Sequence, residues 1–232
     1  MTPQPEPVSG YRRLVLVVED EPLLRELIGN ALERRGFEVV TAGSPSEARR
    51  AFRATDPDGV VMDVDLGPGP NGFDLAEVLL ADSPGVGIVF LTNLPDPRFA
   101  GRPGNDLPRG IAYLRKSGVH EIGRLADALD AVMRGAVDAS MRHDRDPARP
   151  FATLTRRQIE VLRLVALGNT NAQIAEILGI TTRSVGETVT RAFAALGIDG
   201  APEGNLRVAA ARRFVRAAGS PMEMPERGRP TP

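Results

Sequence analysis

Short apolar runs alternate with amphipathic stretches along the first 135 residues of the chain. Five of these runs have the length of strands, and the first, 14–18, is continuously apolar, as a strand buried on both faces of a sheet is. The five runs cover residues 14–18, 37–41, 59–62, 86–91 and 111–114. Because amphipathic stretches separate them, the pattern predicts an α/β domain over 12–135 with a doubly wound, five-stranded parallel sheet.

The stretches between the runs have the apolar period and the end signals of helices. Gly36 is suited to end the first helix. Ser44-Pro45-Ser46-Glu47 combines a capping box with an early proline and predicts a second helix over about 45–54. Asn71 can cap a third helix, and residues 121–133 form a fourth with one apolar face.

One helix is missing from this alternation, between the fourth and fifth apolar runs. Residues 93–109 contain four prolines and two glycines, which interrupt helical hydrogen bonding. We therefore predict no regular helix there, and at most one turn around residues 98–100.

The pattern changes beyond residue 135. Residues 136–152 are charged, contain few large apolar residues and end in Pro-Ala-Arg-Pro, which predicts a linker. Residues 153–219 have a helical period and predict a small all-α domain of four helices. The ends of the chain, 1–11 and 220–232, are rich in proline and are expected to be disordered.

Two capping boxes begin the first two helices of this second domain, Thr155-Arg-Arg-Gln158 and Thr170-Asn-Ala-Gln173. A third helix is expected over about 182–196 and a fourth over about 205–218. A helix, a tight turn and a second helix form an arrangement that can place the second helix in the major groove of DNA.

Composition and charge narrow the classes of function. The chain has no cysteine and only two histidines, which excludes disulfides, zinc–thiolate sites and histidine-rich metal centres. No apolar run reaches the length of a membrane span, about 18 residues, and no signal peptide is recognisable. We therefore expect a soluble cytoplasmic protein with no membrane partner.

The net charge of −1 is unevenly distributed along the chain. Residues 1–135 carry 15 Lys and Arg against 20 Asp and Glu, a net charge of −5. Residues 151–219 carry 9 Arg against 5 Asp and Glu, a net charge of +4. A polyanionic partner is therefore expected to meet the second half of the chain.

Charged and polar residues follow four of the predicted strands. Glu19 and Asp20 follow the first, Asp63 the third, and Thr92 the fourth; Lys116, the only lysine in the chain, follows the fifth. Because the carboxyl ends of parallel strands meet at one edge, we expect these side chains to lie close together. Adjacent carboxylates repel unless a cation joins them. Magnesium, the hydroxyl and the ammonium group could together neutralise a phosphoryl group on the remaining carboxylate.

These residues resemble the motifs of the receiver domain of two-component response regulators. The resemblance covers 12–135, implies a flavodoxin-like fold and rests on four segments. They are Val17-Val18-Glu19-Asp20-Glu21-Pro22, Asp58-Gly-Val-Val-Met-Asp63-Val-Asp65-Leu66, Phe90-Leu91-Thr92 and Tyr113-Leu114-Arg115-Lys116.

The resemblance implies a role for each of these residues, with a cognate histidine kinase as the phosphoryl donor. Asp63 would be the phosphoacceptor, and Thr92 and Lys116 would contact the phosphoryl oxygens. Tyr113 would be the aromatic switch residue. The implied magnesium ligands are Glu19, Asp20, Asp63 and the backbone carbonyl of Asp65.

Residues 153–218 resemble the four-helix DNA-binding domain of LuxR/FixJ type. The matching segments are Leu154-Thr155-x-x-Gln158-x-Glu160-Val161-Leu162, Gly168-Asn169-Thr170-Asn171-x-x-Ile174-Ala175 and Leu178-Gly179-Ile180-Thr181-x-x-Ser184-Val185. The resemblance implies double-stranded DNA as a partner and a homodimer in the active state. The candidate DNA-contacting residues are Asn171, Thr182, Arg183, Glu187, Thr190 and Arg191.

The chain departs from both patterns at several positions. Gly186 and Thr188 stand where the DNA-binding family commonly has lysine and histidine, so we expect weak DNA binding by a monomer. Ser117 stands where receivers usually have proline, and Asn93 where they have a small residue. Residues 93–109 replace a helix that usually carries part of the output surface of receivers. The sequence therefore does not indicate where a receiver dimer would form.

Three functions remain as hypotheses, and we favour a phosphorylation-controlled transcription regulator without enzyme activity. The alternative is a protein-interaction module whose helix-turn-helix no longer reads DNA. The spacing Asp63-Val-Asp65-Leu66 also fits the nucleophile motif of haloacid-dehalogenase-like phosphatases. Those enzymes carry an acidic pair downstream of their lysine, whereas the pair here precedes Asp63.

Overall fold

A computed structural model gives the architecture of residues 12–102, 107–108, 110–118, 122–198 and 205–218. The predicted disordered tails, 1–11 and 220–232, lie outside the described residues. Contacts divide the described chain into two units. The first comprises 12–89 and 122–136, and the second comprises the rest of the described residues, from 90–118 and from 137 onward.

Five strands form one parallel sheet in the order β2-β1-β3-β4-β5. They are β1 (Leu14–Val18), β2 (Glu38–Ala42), β3 (Gly59–Met62), β4 (Gly87–Thr92) and β5 (Ala112–Arg115). β1 lies between β2 and β3, with Val18 opposite both Ala42 and Met62. The predicted doubly wound α/β fold is confirmed, and the predicted strand ends lie within one residue of the observed ones.

Four helices belong to the first unit, and local capping explains where two of them begin. They are α1 (Pro22–Glu33), α2 (Pro45–Thr55), α3 (Gly72–Asp82) and α4 (Ile122–Met133). The Ser44 side chain accepts a hydrogen bond from the Glu47 amide at the start of α2. Asn71 and Asp74 form a reciprocal capping box at the start of α3.

The buried strands supply the core of the first unit. Val15 to Val18 of β1 and Val60 to Met62 of β3 are almost completely buried. α1 and α2 pack on β1, and α4 packs on β3. This burial explains why these strands are continuously apolar rather than alternating.

The start of α3 makes close contact with the backbone that follows β3. The Gly72 amide donates to the Val64 carbonyl at 2.9 Å. A Cβ atom at Gly72 would lie 2.1 Å from the carbonyl oxygen of Asp63 and 2.9 Å from the Cα atom of Val64. Both neighbours are backbone atoms, so only glycine fits this position without displacing Asp63 or α3.

The second unit contains β5 and four further helices. They are α5 (Arg156–Ala166), α6 (Asn171–Leu178), α7 (Thr182–Ala195) and α8 (Leu206–Ala218). Both predicted capping boxes form, at Thr155 with Gln158 and at Thr170 with Gln173. α5 packs on α7 and α8, and α6 packs on α7.

The segment between β4 and β5 contains no α-helix among its described residues, 93–102, 107–108 and 110–111. A single 3-10 helix, Pro97–Ala100, occupies the position where one turn was predicted. The Asp96 side chain caps it by accepting from the Arg98 amide at 2.9 Å, and Gly101 ends it with φ 79°.

The predicted linker, 136–152, contains short turns with a buried ion pair. Two 3-10 helices cover Ala139–Met141 and His143–Arg145. Arg142 and Asp144 are buried and form two hydrogen bonds of 2.8 Å each. The Arg115 amide donates to Nδ1 of His143 at 3.1 Å. These residues are therefore packed in the second unit, while the predicted domain boundary stays a prediction.

No helix in the described part of the chain is both long enough and apolar enough to cross a membrane.

We expect Gly72→Ala to lower the free energy of unfolding by about 1 to 3 kcal/mol, because the added methyl group must displace backbone atoms. Urea unfolding followed by circular dichroism measures this change. Gly85→Ala is the matched control, since a Cβ atom there meets nothing within 4 Å. Equal stability of the two variants would contradict the close contact at Gly72.

Candidate acidic site and nucleic-acid interface

Three carboxylates meet at the carboxyl edge of the sheet in the first unit. Glu19, Asp20 and Asp63 each place an oxygen within 4.8 Å of the oxygens of the other two. The parallel register of β1 and β3 causes this proximity, since Val18 and Met62 lie opposite each other just before these residues. Glu19 and Asp63 are 2% and 6% exposed, whereas Asp20 is exposed. The cluster is therefore reached from solvent on the side of Asp20.

Backbone amides orient the Asp63 carboxylate, and Arg25 bonds the main chain at Glu19 and Asp20. Oδ1 of Asp63 accepts from the amides of Val64 at 2.6 Å and Asp65 at 3.3 Å. The Arg25 guanidinium donates to the carbonyl oxygens of Glu19 at 2.6 Å and Asp20 at 3.3 Å. Arg25 thus holds the turn between β1 and α1, while the Asp65 side chain lies exposed on the loop after β3.

The donor set of this cluster fits a hard divalent cation. Three carboxylates at this distance repel one another, and a divalent cation with oxygen ligands offsets that repulsion. Magnesium accepts a few carboxylates together with waters and phosphate oxygens. Glu19, Asp20 and Asp63 supply oxygen ligands only, and one of the three faces solvent.

The remaining residues predicted for the acidic site belong to the second unit. Thr92 is buried at the end of β4, and half-buried Lys116 begins the 3-10 helix Lys116–Gly118 that follows β5. Tyr113 is fully buried in β5. Its hydroxyl donates to the Leu94 carbonyl at 3.0 Å, and its ring centroid lies 6.2 Å from that of Phe90.

Arg115 connects the ends of these two strands to α8. Its guanidinium donates to the carbonyl of Asn93 at 3.2 Å and to the carbonyl of Ala217 at 2.7 Å. Burial lowers the pKa of Arg115, and the nearby Tyr113 partly offsets this effect. Its Nε atom is buried without a hydrogen-bond partner in the described part of the chain.

α7 presents an exposed polar face in the second unit. The opposite face is buried and carries Val185, Val189 and Phe193. Five of the predicted DNA-contacting residues are exposed on α7: Thr182, Arg183, Glu187, Thr190 and Arg191. The sixth, Asn171, is half-buried at the start of α6, where its Oδ1 atom accepts from Arg207 at 2.7 Å.

An ion pair on this face moderates the negative charge of Glu187. Nε of Arg183 lies 3.1 Å from Oε1 of Glu187, one helical turn away, and both side chains are exposed. Such a pair contributes only about 0.3 to 0.5 kcal/mol. Arg183 can therefore leave Glu187 for a phosphate at little cost.

Two family models match the chain, one in each half. The model described as "Response regulator receiver domain" matches residues 15–102, and the model described as "Bacterial regulatory proteins, luxR family" matches residues 152–203. The DNA-binding transcriptional activator DevR/DosR of Mycobacterium tuberculosis is 31% identical over 199 residues. This alignment covers 80% of the chain and 88% of DevR/DosR. The chain belongs to the LuxR-family response regulators.

Some other relatives match a smaller part of this response regulator. The DNA-binding response regulator MtrA of Mycolicibacterium smegmatis is 45% identical over 89 residues, which are 38% of each chain. The chain thus spans little more than a third of the length of such curated relatives. The solved structure of the RcsB response regulator from Salmonella typhimurium has a TM-score of 0.55 at 22% identity and covers 89% of this chain and 98% of RcsB. That likeness shows the fold alone.

These comparisons confirm the family and the LuxR-type helix-turn-helix fold predicted from the sequence. They do not favour the interaction module with a degenerate helix-turn-helix. The family comprises DNA-binding regulators, which are not a class of enzymes. This family membership also counts against the phosphatase hypothesis.

Sequence reasoning missed three residues, two beside the acidic site and one buried in the second unit. Arg25 and Gly72 hold the loops around the carboxylates, and Asp96 is buried after β4. A signal existed for Gly72, because it follows the capping residue Asn71 directly and begins α3. A signal existed for Asp96 as well, because this capping residue is followed directly by a proline at the first helical position, whereas no local signal marks Arg25.

We expect Gly186→Ala to raise the free energy of unfolding by about 0.5 to 1 kcal/mol, because alanine favours helix over glycine. A Cβ atom there would meet only Nδ2 of Asn171, at 4.0 Å, so no clash opposes this gain. Thermal unfolding of the variant and the wild type measures the difference. A lower melting temperature for the variant would show that α7 needs glycine at this position.

Proposed function

We propose that the chain is a phosphorylation-controlled transcription regulator whose phosphoacceptor is Asp63. The carboxylate cluster at the ends of β1 and β3 is the observation that supports this most strongly. A carboxylate oxygen of Asp63 forms a bond to phosphorus as the P–N bond to the histidine of a cognate kinase breaks. The same chain carries a LuxR-family domain through which phosphorylation can act on DNA.

The neighbouring residues prepare Asp63 for this step. Glu19, Asp20 and Asp63, with the backbone carbonyl of Asp65, would hold Mg²⁺, which supplies positive charge to offset the charge of the phosphoryl group. The amides of Val64 and Asp65 orient the Asp63 carboxylate.

Thr92, the last residue of β4, and Lys116, which follows β5, complete the proposed phosphoryl site. Thr92 donates its hydroxyl and Lys116 its ammonium group to phosphoryl oxygens. Lysine suits this role because its compact charge meets a single anionic oxygen. Tyr113, whose hydroxyl bonds the Leu94 carbonyl two residues after Thr92, is the proposed switch residue.

We propose that α7 enters the major groove of double-stranded DNA. Arg183 and Arg191 meet phosphates or base edges, and Asn171, Thr182 and Thr190 supply further hydrogen bonds. Glu187 can accept from a cytosine amino group. The relative DevR/DosR is described as a DNA-binding transcriptional activator, which supports DNA as the partner of this domain.

The active form is proposed to be a homodimer. One copy offers few positive charges on α7, and two copies on adjacent half-sites double the number of phosphates neutralised. A solved RcsB structure is described as two RcsB dimers bound to two parallel DNAs, which is consistent with a homodimer on DNA here.

Beryllofluoride mimics the phosphoryl group when magnesium is present. We expect it to tighten DNA binding of the wild type, and we expect the Asp63→Ala substitution to abolish this response. Fluorescence anisotropy with labelled duplex fragments from the genome of origin measures both. Asp65→Ala is the matched control, because the variant keeps the backbone carbonyl that the proposal uses. An Asp63→Ala protein that responds as the wild type does would exclude Asp63 as the phosphoacceptor. Binding to no fragment in either state would favour the interaction module.

Arg191→Ala should weaken binding to all duplexes alike and reduce the steepness of the salt dependence by about 0.9, the loss of one phosphate contact. Anisotropy titrations at several salt concentrations give this slope. The control is Arg157→Ala on α5, where the guanidinium is paired with Glu160 at 2.8 Å. An unchanged slope in the Arg191→Ala variant would show that Arg191 does not contact a DNA phosphate.

A further inference from the structure

A buried carboxylate lies in the segment that directly follows Thr92. The Asp96 side chain is 1% exposed. It accepts hydrogen bonds from the Arg98 amide and Nε, each at 2.9 Å, and from a terminal nitrogen of Arg98 at 2.6 Å. Nε of Arg149 donates to its second oxygen at 2.8 Å. A buried ionised carboxylate is costly unless it is paired in this way, so Asp96 fixes the position of both arginines.

The two arginines connect Asp96 to the chain that leads into α5. Arg98 donates to the carbonyl of Phe151 at 3.2 Å and also to the carbonyl of Leu154. Arg149 donates to the carbonyl of Asp146 at 2.9 Å. Thr155 caps α5 immediately afterwards, and α5 packs on the 3-10 helix Pro97–Ala100. The start of the first DNA-binding helix is thus held to the segment after Thr92.

Three phenylalanines extend this connection to α8. The ring centroid of Phe99 lies 5.6 Å from that of Phe151 and 5.4 Å from that of Phe214, and the other two are 6.1 Å apart. All three side chains are buried. Phe151 has φ 60°, a conformation that a bulky residue adopts only where its surroundings hold it.

Arg115, the last residue of β5, makes a second connection to α8. It bonds the carbonyl of Asn93, the residue after Thr92, and the carbonyl of Ala217 near the end of α8. Arg115 itself directly precedes Lys116. Thr92 and Lys116, which would bind phosphoryl oxygens, are therefore each next in sequence to a residue of this connection: Thr92 precedes Asn93, which Arg115 bonds, and Lys116 follows Arg115, which bonds α8.

We infer that Asp96 is a positioning residue that transmits phosphorylation to the DNA-binding helices. We call Asp96, Arg98, Phe99, Arg149, Phe151 and Phe214 the latch. The segment after Thr92, which contains the 3-10 helix Pro97–Ala100, replaces a helix between β4 and β5. The latch joins this segment to α5 and α8. Movement of Thr92 and Lys116 toward a phosphoryl group moves Asn93 and Arg115, and the latch carries that movement to α5 and α8. The inference rests on the proposed function.

The recognition face of α7 is exposed while the latch is formed. The latch therefore does not act by covering the DNA-contacting residues. It acts on the placement of α8 and of the start of α5, so its loss should remove the response to phosphorylation rather than DNA binding itself.

The test compares two latch variants with two matched controls in the full chain. Asp96→Asn keeps the shape of the side chain and removes its charge, and Arg149→Gln leaves the Asp96–Arg98 pair in place. The controls, Asp82→Asn and Arg53→Gln, break an exposed ion pair of 3.2 Å on α2 and α3. Anisotropy with the labelled genomic duplexes gives the dissociation constant without and with beryllofluoride, and thermal unfolding verifies that each variant is folded.

We expect the ratio of the two dissociation constants to fall to about 1 in both latch variants, whereas both controls keep the wild-type ratio. All variants should still bind DNA without beryllofluoride. Such binding distinguishes a lost response to beryllofluoride from a DNA-binding domain that no longer works. A wild-type ratio in folded Arg149→Gln and Asp96→Asn proteins overturns the latch and leaves the proposed function intact. A wild type that binds DNA but does not respond to beryllofluoride overturns the proposed switch, and the role of the latch with it.

Discussion

The mutual repulsion of three carboxylates is the constraint around which the first unit is organised. The parallel register of β1 and β3 brings Glu19, Asp20 and Asp63 within 4.8 Å of one another, and the fold must then hold them in place. The Arg25 side chain fixes the turn after β1, and two backbone amides fix the Asp63 carboxylate. A glycine at the start of α3 lets that helix approach the same backbone. Such a cluster gains stability when a cation joins it, which is how an acidic site becomes responsive to magnesium and phosphate.

The second unit shows a different use of a buried charge. Between β4 and β5, a short segment stands in place of an α-helix. In this segment Asp96 forms ion pairs with Arg98 and Arg149. Phe99 packs against the rings of Phe151 and Phe214. Ion pairs of this kind stabilise little by themselves, but they specify one arrangement of the chain because any other leaves a charge buried without a partner. This specificity suits a segment that must carry movement from strand ends to helices.

Local signals in the sequence account for most of the fold. Short, mostly apolar runs indicate the strands, and four prolines exclude a helix after β4. Four capping residues indicate helix starts: Ser44, Asn71, Thr155 and Thr170. Residues 136–152 were interpreted as a linker from their charge, yet Arg142 and Asp144 are buried because they pair with each other. The latch could not be predicted at all. Asp96 and Arg149 are 53 residues apart, and nothing in either neighbourhood identifies the partner.

The proposed function requires Asp63 to carry the phosphoryl group. The most direct measurement is peptide mapping by mass spectrometry after reaction with a small phosphodonor, with the acyl phosphate trapped by borohydride reduction. We predict a single modified residue, Asp63, that appears with magnesium and not with a chelator. Modification of Asp20, Asp65 or another acidic residue instead, or labelling that does not depend on magnesium, would contradict the account.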